Sequence, residues 1–116
     1  MTIERVAGVY QGRSRAVRHD GIVYAVATDQ SNAEGIAEQT RRTLAALENS
    51  LRDAGSDKTR LLQATVYLAD MSMKSEMDAV WCDWIGEQQN WPQRACVGTD
   101  LAGATLVEIV VTAAEI

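Results

Sequence analysis

The chain is 116 residues long, 47% of them apolar, with a formal net charge of −5 and no Phe. That length fits a single domain spanning residues 1–116, with enough chain to bury one real core. The apolar share excludes a disordered tail, and the acidic balance excludes the basic stripe of a nucleic-acid binder.

Taken in chain order, the first strand candidate is the stretch from Thr2 to Val6, and Gly8, Gly12 and the Arg/Ser run after them read as loop. Arg13, Arg15, Arg18 and His19 form a cationic patch that Asp20 ends, too short for a phosphate backbone and suited to one or two carboxylates, or else simply solvated. Ile22 to Ala27 is an apolar run with strand character. Ser31 or Asn32 has the chemistry of a helix N-cap. Ile36, Thr40, Thr43, Leu44, Leu47 and Leu51 then share one helical face, and Gly55 stands where a left-handed C-terminal cap belongs.

Leu61 to Ala69 alternates as a strand. Asp70 and Ser72 offer caps for a second helix, in which Met73, Met77, Val80, Trp81, Trp84 and Ile85 repeat with helical spacing. Asn90-Trp91-Pro92 is expected to end it, because proline disfavours helix in the residue before it. Arg94 to Gly98 and Leu106 to Ala113 read as two further strands. The order β, β, α, β, α, β, β describes an α+β sandwich with two helices on one face of a mixed sheet. Strands apolar on both faces then leave one face uncovered, which predicts an oligomer.

No window is long and apolar enough to span a membrane, and no apolar run follows a basic N-terminal stretch, so no membrane contact or secretory signal is expected. Cys82 and Cys96 form no CxxC pair and read as free thiols of a reducing cytoplasm. His19 is the only histidine, so no zinc or iron–sulfur ligand set exists and no metal is expected.

The chemistry concentrates near the C-terminal strands. Arg94 follows Pro92-Gln93 and opens a strand, so its planar fork is placed to grip a carboxylate; it could equally pair with Glu108 or Asp100, or face solvent. Arg94 and Cys96, two residues apart, point to the same sheet face. Glu108 is a carboxylate inside Leu106-Val107-Glu108-Ile109-Val110-Val111, where it can orient water, donate a proton or serve a structural ion pair. Cys96 has no histidine in sequence range to activate it and reads as a small hydrophobe whose backbone can still serve a ligand.

These stretches resemble the Rid (YjgF-like) family of reactive imine deaminases, in its YoaB-like branch. The match runs through Glu38-Gln39-Thr40, Gly55-Ser56-Asp57-Lys58, Ala64 to Asp70, Met77, Trp81 and Trp84. Its most specific parts are Pro92-Gln93-Arg94-Ala95-Cys96-Val97 and Leu106-Val107-Glu108-Ile109. The resemblance implies a chorismate-mutase-like α+β fold and a homotrimer whose sheets form a central barrel, with clefts between subunits. It implies hydrolysis of 2-imino or enamine acids to 2-keto acids and ammonia without a cofactor. By that resemblance Arg94 clamps the substrate carboxylate, the backbone of Cys96 holds the imine nitrogen or the water, and Glu108 positions the water and moves a proton.

Four departures bear on the walls of the implied site, three of which exchange a neutral group for a charged one. Val26-Ala27 stands where the family has Ser-Gly, Arg13 where it has an aromatic residue, and Asp78 and Lys74 where it has an asparagine and another aromatic. Arg13 is thereby a candidate for holding a second carboxylate. Two alternatives share the fold: a non-catalytic binder of small carboxylates or keto acids, and a hydrolase of another carbonyl derivative such as a carbamate.

Overall fold

Six strands and two helices account for most of residues 2–116, the part of the chain that the computed structural model describes. They are β1 (Glu4–Ala7), β2 (Ser14–His19), β3 (Ile22–Ala27), α1 (Ile36–Asp53), β4 (Leu61–Leu68), α2 (Lys74–Ile85), β5 (Gln93–Gly98) and β6 (Val107–Ala114). The strands form one mixed sheet in the order β1-β2-β3-β6-β4-β5. Only β4 and β5 run parallel, joined through α2 as a parallel pair requires.

The loop expected around Arg13 to His19 is instead largely β2. Asp20 (φ 53°) and Gly21 (φ 81°) link His19 to its partner Ile22, the two-residue turn whose twist suits a hairpin. The patch does not stay solvated because most of its charges find partners beside the strand. A bulge at Arg15, between the pairs Val6–Ala16 and Ala7–Ser14, sends its guanidinium to α1, where it meets Asp53 at 2.6 Å and Ser50 at 3.0 Å. Arg18 pairs with Glu4 and, at 3.4 Å, with Glu115.

The N-terminus of α1 also departs from expectation. Neither Ser31 nor Asn32 caps the helix, which begins after Gly35. Asp29 organises the turn instead, accepting hydrogen bonds from the Ser31 amide (3.0 Å), the Ser31 hydroxyl (2.6 Å) and the Ala33 amide (2.8 Å). At the other end the expected cap is present. Gly55 (φ 90°) donates to Arg52 at 3.0 Å and Ser56 donates to Leu51 at 2.8 Å, a Schellman motif. A Cβ on Gly55 would lie 2.6 Å from Arg18 Nη1. Gly55→Ala is therefore expected to cost about 1–2 kcal/mol of stability from the left-handed backbone alone, read as a lower urea midpoint.

α2 ends at Ile85, earlier than Asn90-Trp91-Pro92, because Gly86 (φ 75°) already turns the chain; Gln88–Asn90 form a separate 3₁₀ turn. The core lies between the helices and one sheet face, where Leu44, Leu47 and Leu51 of α1 and Met77 and Ile85 of α2 meet Val23, Val66, Val107, Ile109 and Val111. Each such side chain contributes roughly 1.5–3 kcal/mol by leaving water. The opposite face has no helix over it. Tyr24, Val97 and Val110 stand on it at 49%, 41% and 40% exposure, as the helix count predicted.

Candidate functional site

Two groups of candidate residues emerge, one around Arg94 on the helix-covered sheet face and one around Glu108 on the open face, although Ala27 of the second group itself turns toward the core. Arg94 and Cys96 do share a face, as their spacing requires. Their register partners Ala64 and Val66 are core residues, so that face is the helix-covered one. The Arg94 side chain, only 19% exposed, reaches α2: Nη2 donates to Asp78 at 2.6 Å, Nη1 lies 4.0 Å from Met77 Sδ, and the guanidinium sits 5.3 Å from the Trp81 ring centre. Its partner is thus Asp78, and neither Glu108 nor Asp100.

Lys74 Nζ completes the cluster, 2.7 Å from the other Asp78 oxygen. Desolvation pushes the Asp78 carboxyl up, but hydrogen bonds and charge from Lys74 and Arg94 together outweigh it and hold its pKa below the ordinary value. Asp78 therefore stays ionised through the neutral range. Its contribution to stability is present above the unfolded carboxylate pKa and is lost as pH falls through the depressed folded value.

Cys96 sits behind this cluster. Burial pushes its thiol pKa up, only partly opposed by Arg94 and Lys74. A protonated, half-buried thiol is a poor nucleophile. Iodoacetamide at neutral pH is accordingly expected to alkylate exposed Cys82 before Cys96, as peptide mass mapping would read.

Glu108 lies on the open face, since it alternates with the core residues Val107 and Ile109. It opposes Tyr67 of β4, and Tyr67 in turn opposes Val97 of β5. A strand therefore separates β6 from β5, and within one chain Arg94 and Glu108 cannot converge. Glu108 instead lines a cleft of about 940 Å³ together with Tyr10, Arg13, Val26, Ala27 and Thr105. Half-buried Glu108 has no hydrogen bond or ion pair with another side chain among the described residues, so its oxygens are free for a ligand or water. Arg13 stacks on Tyr10, 4.4 Å from the ring centre.

Gln39 is a residue that sequence reasoning passed over as generic. Though polar, it is only 1% exposed. Its Nε2 donates to Ala33 (3.1 Å) and Ala104 (3.2 Å), and its Oε1 accepts from the Leu106 and Val107 amides. It thereby ties α1 to the segment that leads into Glu108. The available signal was a glutamine on the apolar face of an otherwise regular helix.

A six-stranded mixed sheet with two helices on one face, an arginine and a cysteine on the edge strand β5 and a carboxylate on β6 define a small α+β protein of the YjgF type. Residues 6–115 match the family described as Endoribonuclease L-PSP, and the chain belongs to that family, which includes the YjgF and RutC proteins. It is 38% identical over 105 residues to a RutC family protein of Haemophilus ducreyi, covering 87% of each chain. Over 85 residues it is 30% identical to the RutC family protein YoaB of Escherichia coli, covering 73% of this chain and 74% of that one. A crystal structure of a YjgF family member from Neisseria meningitidis superposes with a TM-score of 0.93 at 36% identity, over 100% of this chain and 97% of the other. No helix among the described residues is long and apolar enough to cross a membrane.

Proposed function

We propose that this protein hydrolyses 2-imino acids, with their enamine tautomers, to 2-keto acids and ammonia in crevices between the subunits of a homotrimer. The observation that carries the reading is Glu108, a half-buried carboxylate on the uncovered sheet face with no side-chain partner, lining a cleft that α1 also walls through Asn49, Ser50, Arg52 and Asp53. Trimer formation with the open faces inward would bury Tyr24, Val97 and Val110. The free edge of β5 would then abut the neighbour's cleft, so that Arg94 and Cys96 could reach Glu108, Val26 and Ala27 there, which a single chain cannot do.

In that crevice Arg94 holds the substrate carboxylate and the Cys96 backbone holds the imine nitrogen. Glu108 accepts a proton from water as the water oxygen bonds to the imine carbon. Glu108 then returns its proton to the carbinolamine nitrogen and takes up the hydroxyl proton as the C–N bond breaks, so that ammonia leaves and the carbonyl forms. An iminium carbon is already electrophilic, so orientation and one proton transfer are enough, and no cofactor is invoked.

Non-catalytic binding of small keto acids is the second reading. Val26 and Ala27, which bring no hydroxyl to the cleft, and the existing hold of Asp78 on Arg94 favour it. A coupled assay separates the two. An amino-acid oxidase generates imino acids in situ, and keto acid release is followed with and without the protein. Acceleration is expected; none across a broad panel of imino acids, together with saturable keto acid binding, would establish the second reading. The ribonuclease activity in the family's description is not carried over, because an acidic chain with most of its arginines paired offers no track for a phosphate backbone.

A further inference from the structure

We infer that the substrates of this crevice carry a second carboxylate, as the imines of aspartate- and glutamate-type amino acids do, and that Arg13 holds it. The inference rests on the deaminase reading and adds the substrate class to it.

The first support is the state of the arginines. Three of them line the Glu108 cleft: Arg13, Arg15 and Arg52. Arg15 is held by Asp53 and Arg52 by Glu48. Arg13 alone of the three has no carboxylate partner among the described residues, and its guanidinium lies against the Tyr10 ring instead. A cation over an aromatic face keeps its outward edge for an anion, with the ring limiting where it can swing.

Charge balance is the second support. In the assembled crevice Arg13 offsets Glu108, while Asp78 offsets only one of Lys74 and Arg94, leaving one positive charge in excess. The reactive, protonated imine of a monocarboxylic acid is neutral overall and leaves that excess standing. The protonated imine of a dicarboxylic acid carries a net single negative charge and cancels it. In the family pattern described above, neutral residues at positions 13, 74 and 78 leave Arg94 and Glu108 to balance each other, which suits a substrate with one carboxylate. The three departures together shift the crevice by one positive charge, and so call for one more anionic group on the ligand. The cleft, about 940 Å³, has room for a four- or five-carbon chain. The second carboxylate takes no part in bond making: water still adds to the imine carbon and ammonia still leaves.

The test generates 2-iminosuccinate and 2-iminoglutarate with D-aspartate oxidase, and the alanine and leucine imines with D-amino-acid oxidase. The ratio of kcat/KM between the two classes is compared for wild type, Arg13→Ala and Arg13→Lys, with Arg5→Ala as control because Arg5 is exposed and outside the cleft. Wild type is expected to favour dicarboxylic imines by about tenfold, the worth of one charged contact at a partly solvated site. Arg13→Ala is expected to bring the ratio near unity, chiefly through KM, while Arg13→Lys keeps part of it and Arg5→Ala all of it. Acceleration of monocarboxylic imines without this preference, or a preference indifferent to Arg13→Ala, overturns the substrate class and leaves the deaminase standing. Failure with every imine overturns the deaminase. Calorimetry with 2-oxoglutarate and pyruvate then decides whether Arg13 selects dicarboxylates, and equal affinities in wild type would refute that as well.

Discussion

Under the proposed reaction, Arg94→Ala lowers kcat/KM for imino acids by about one to two orders of magnitude, since a charge-assisted contact to a carboxylate contributes roughly 1.5–3 kcal/mol. The loss falls on whichever state the carboxylate contact stabilises, so KM rises along with any fall in kcat. The same geometry predicts the opposite sign for its neighbour. Asp78 already occupies Nη2 of Arg94 at 2.6 Å, so an incoming carboxylate competes with it. Asp78→Asn removes that competitor's charge while keeping its shape, and should tighten binding of keto acids as Arg94→Ala weakens it. Calorimetric titration of both variants with a keto acid checks the pair. Arg94→Ala with unchanged kinetics would remove the arginine from the site.

The second large effect concerns assembly. Val110 stands on the uncovered face, opposite Val26 of β3 and Thr65 of β4. Val110→Asp would set a carboxylate in a buried interface, where an unpaired charge costs several kcal/mol. We expect wild type to sediment as a trimer and Val110→Asp as a folded monomer with unchanged far-ultraviolet circular dichroism and no deaminase activity. The link between assembly and activity follows from the opposite facing of Arg94 and Glu108. A monomeric wild type would dispose of the shared crevice outright.

Most of the frame was legible because it is periodic. The α1 stripe, the Leu61–Leu68 alternation and the apolar β3 and β6 all reflect burial on one side or both, which sequence spacing records. β2 was missed because arginines in a strand look like loop until their partners are known, and those partners lie outside the run, on β1, on α1 and at Glu115. A local signal was nevertheless present, as Asp20-Gly21 between two runs of strand length is a hairpin pattern. The shared face of Arg94 and Cys96 could be read from a spacing of two. The partnership of Arg94 with Asp78 could not, because it depends on how α2 crosses the parallel β4–β5 pair. The facing of Glu108 away from Arg94 follows from its alternation with Val107 and Ile109 and from the registers across β4, the strand inserted between β5 and β6.

That insertion also constrains the order in which the molecule can come together. β6 follows every other strand in the chain, yet it sits at the middle of the sheet, bridging β3 to β4. The β1–β3 meander and the β4–α2–β5 unit can each form early from local contacts, but nothing within the sheet fastens one to the other until β6 slides between them. During synthesis the two halves must therefore wait, each with an unsatisfied backbone edge, for the closing strand to emerge.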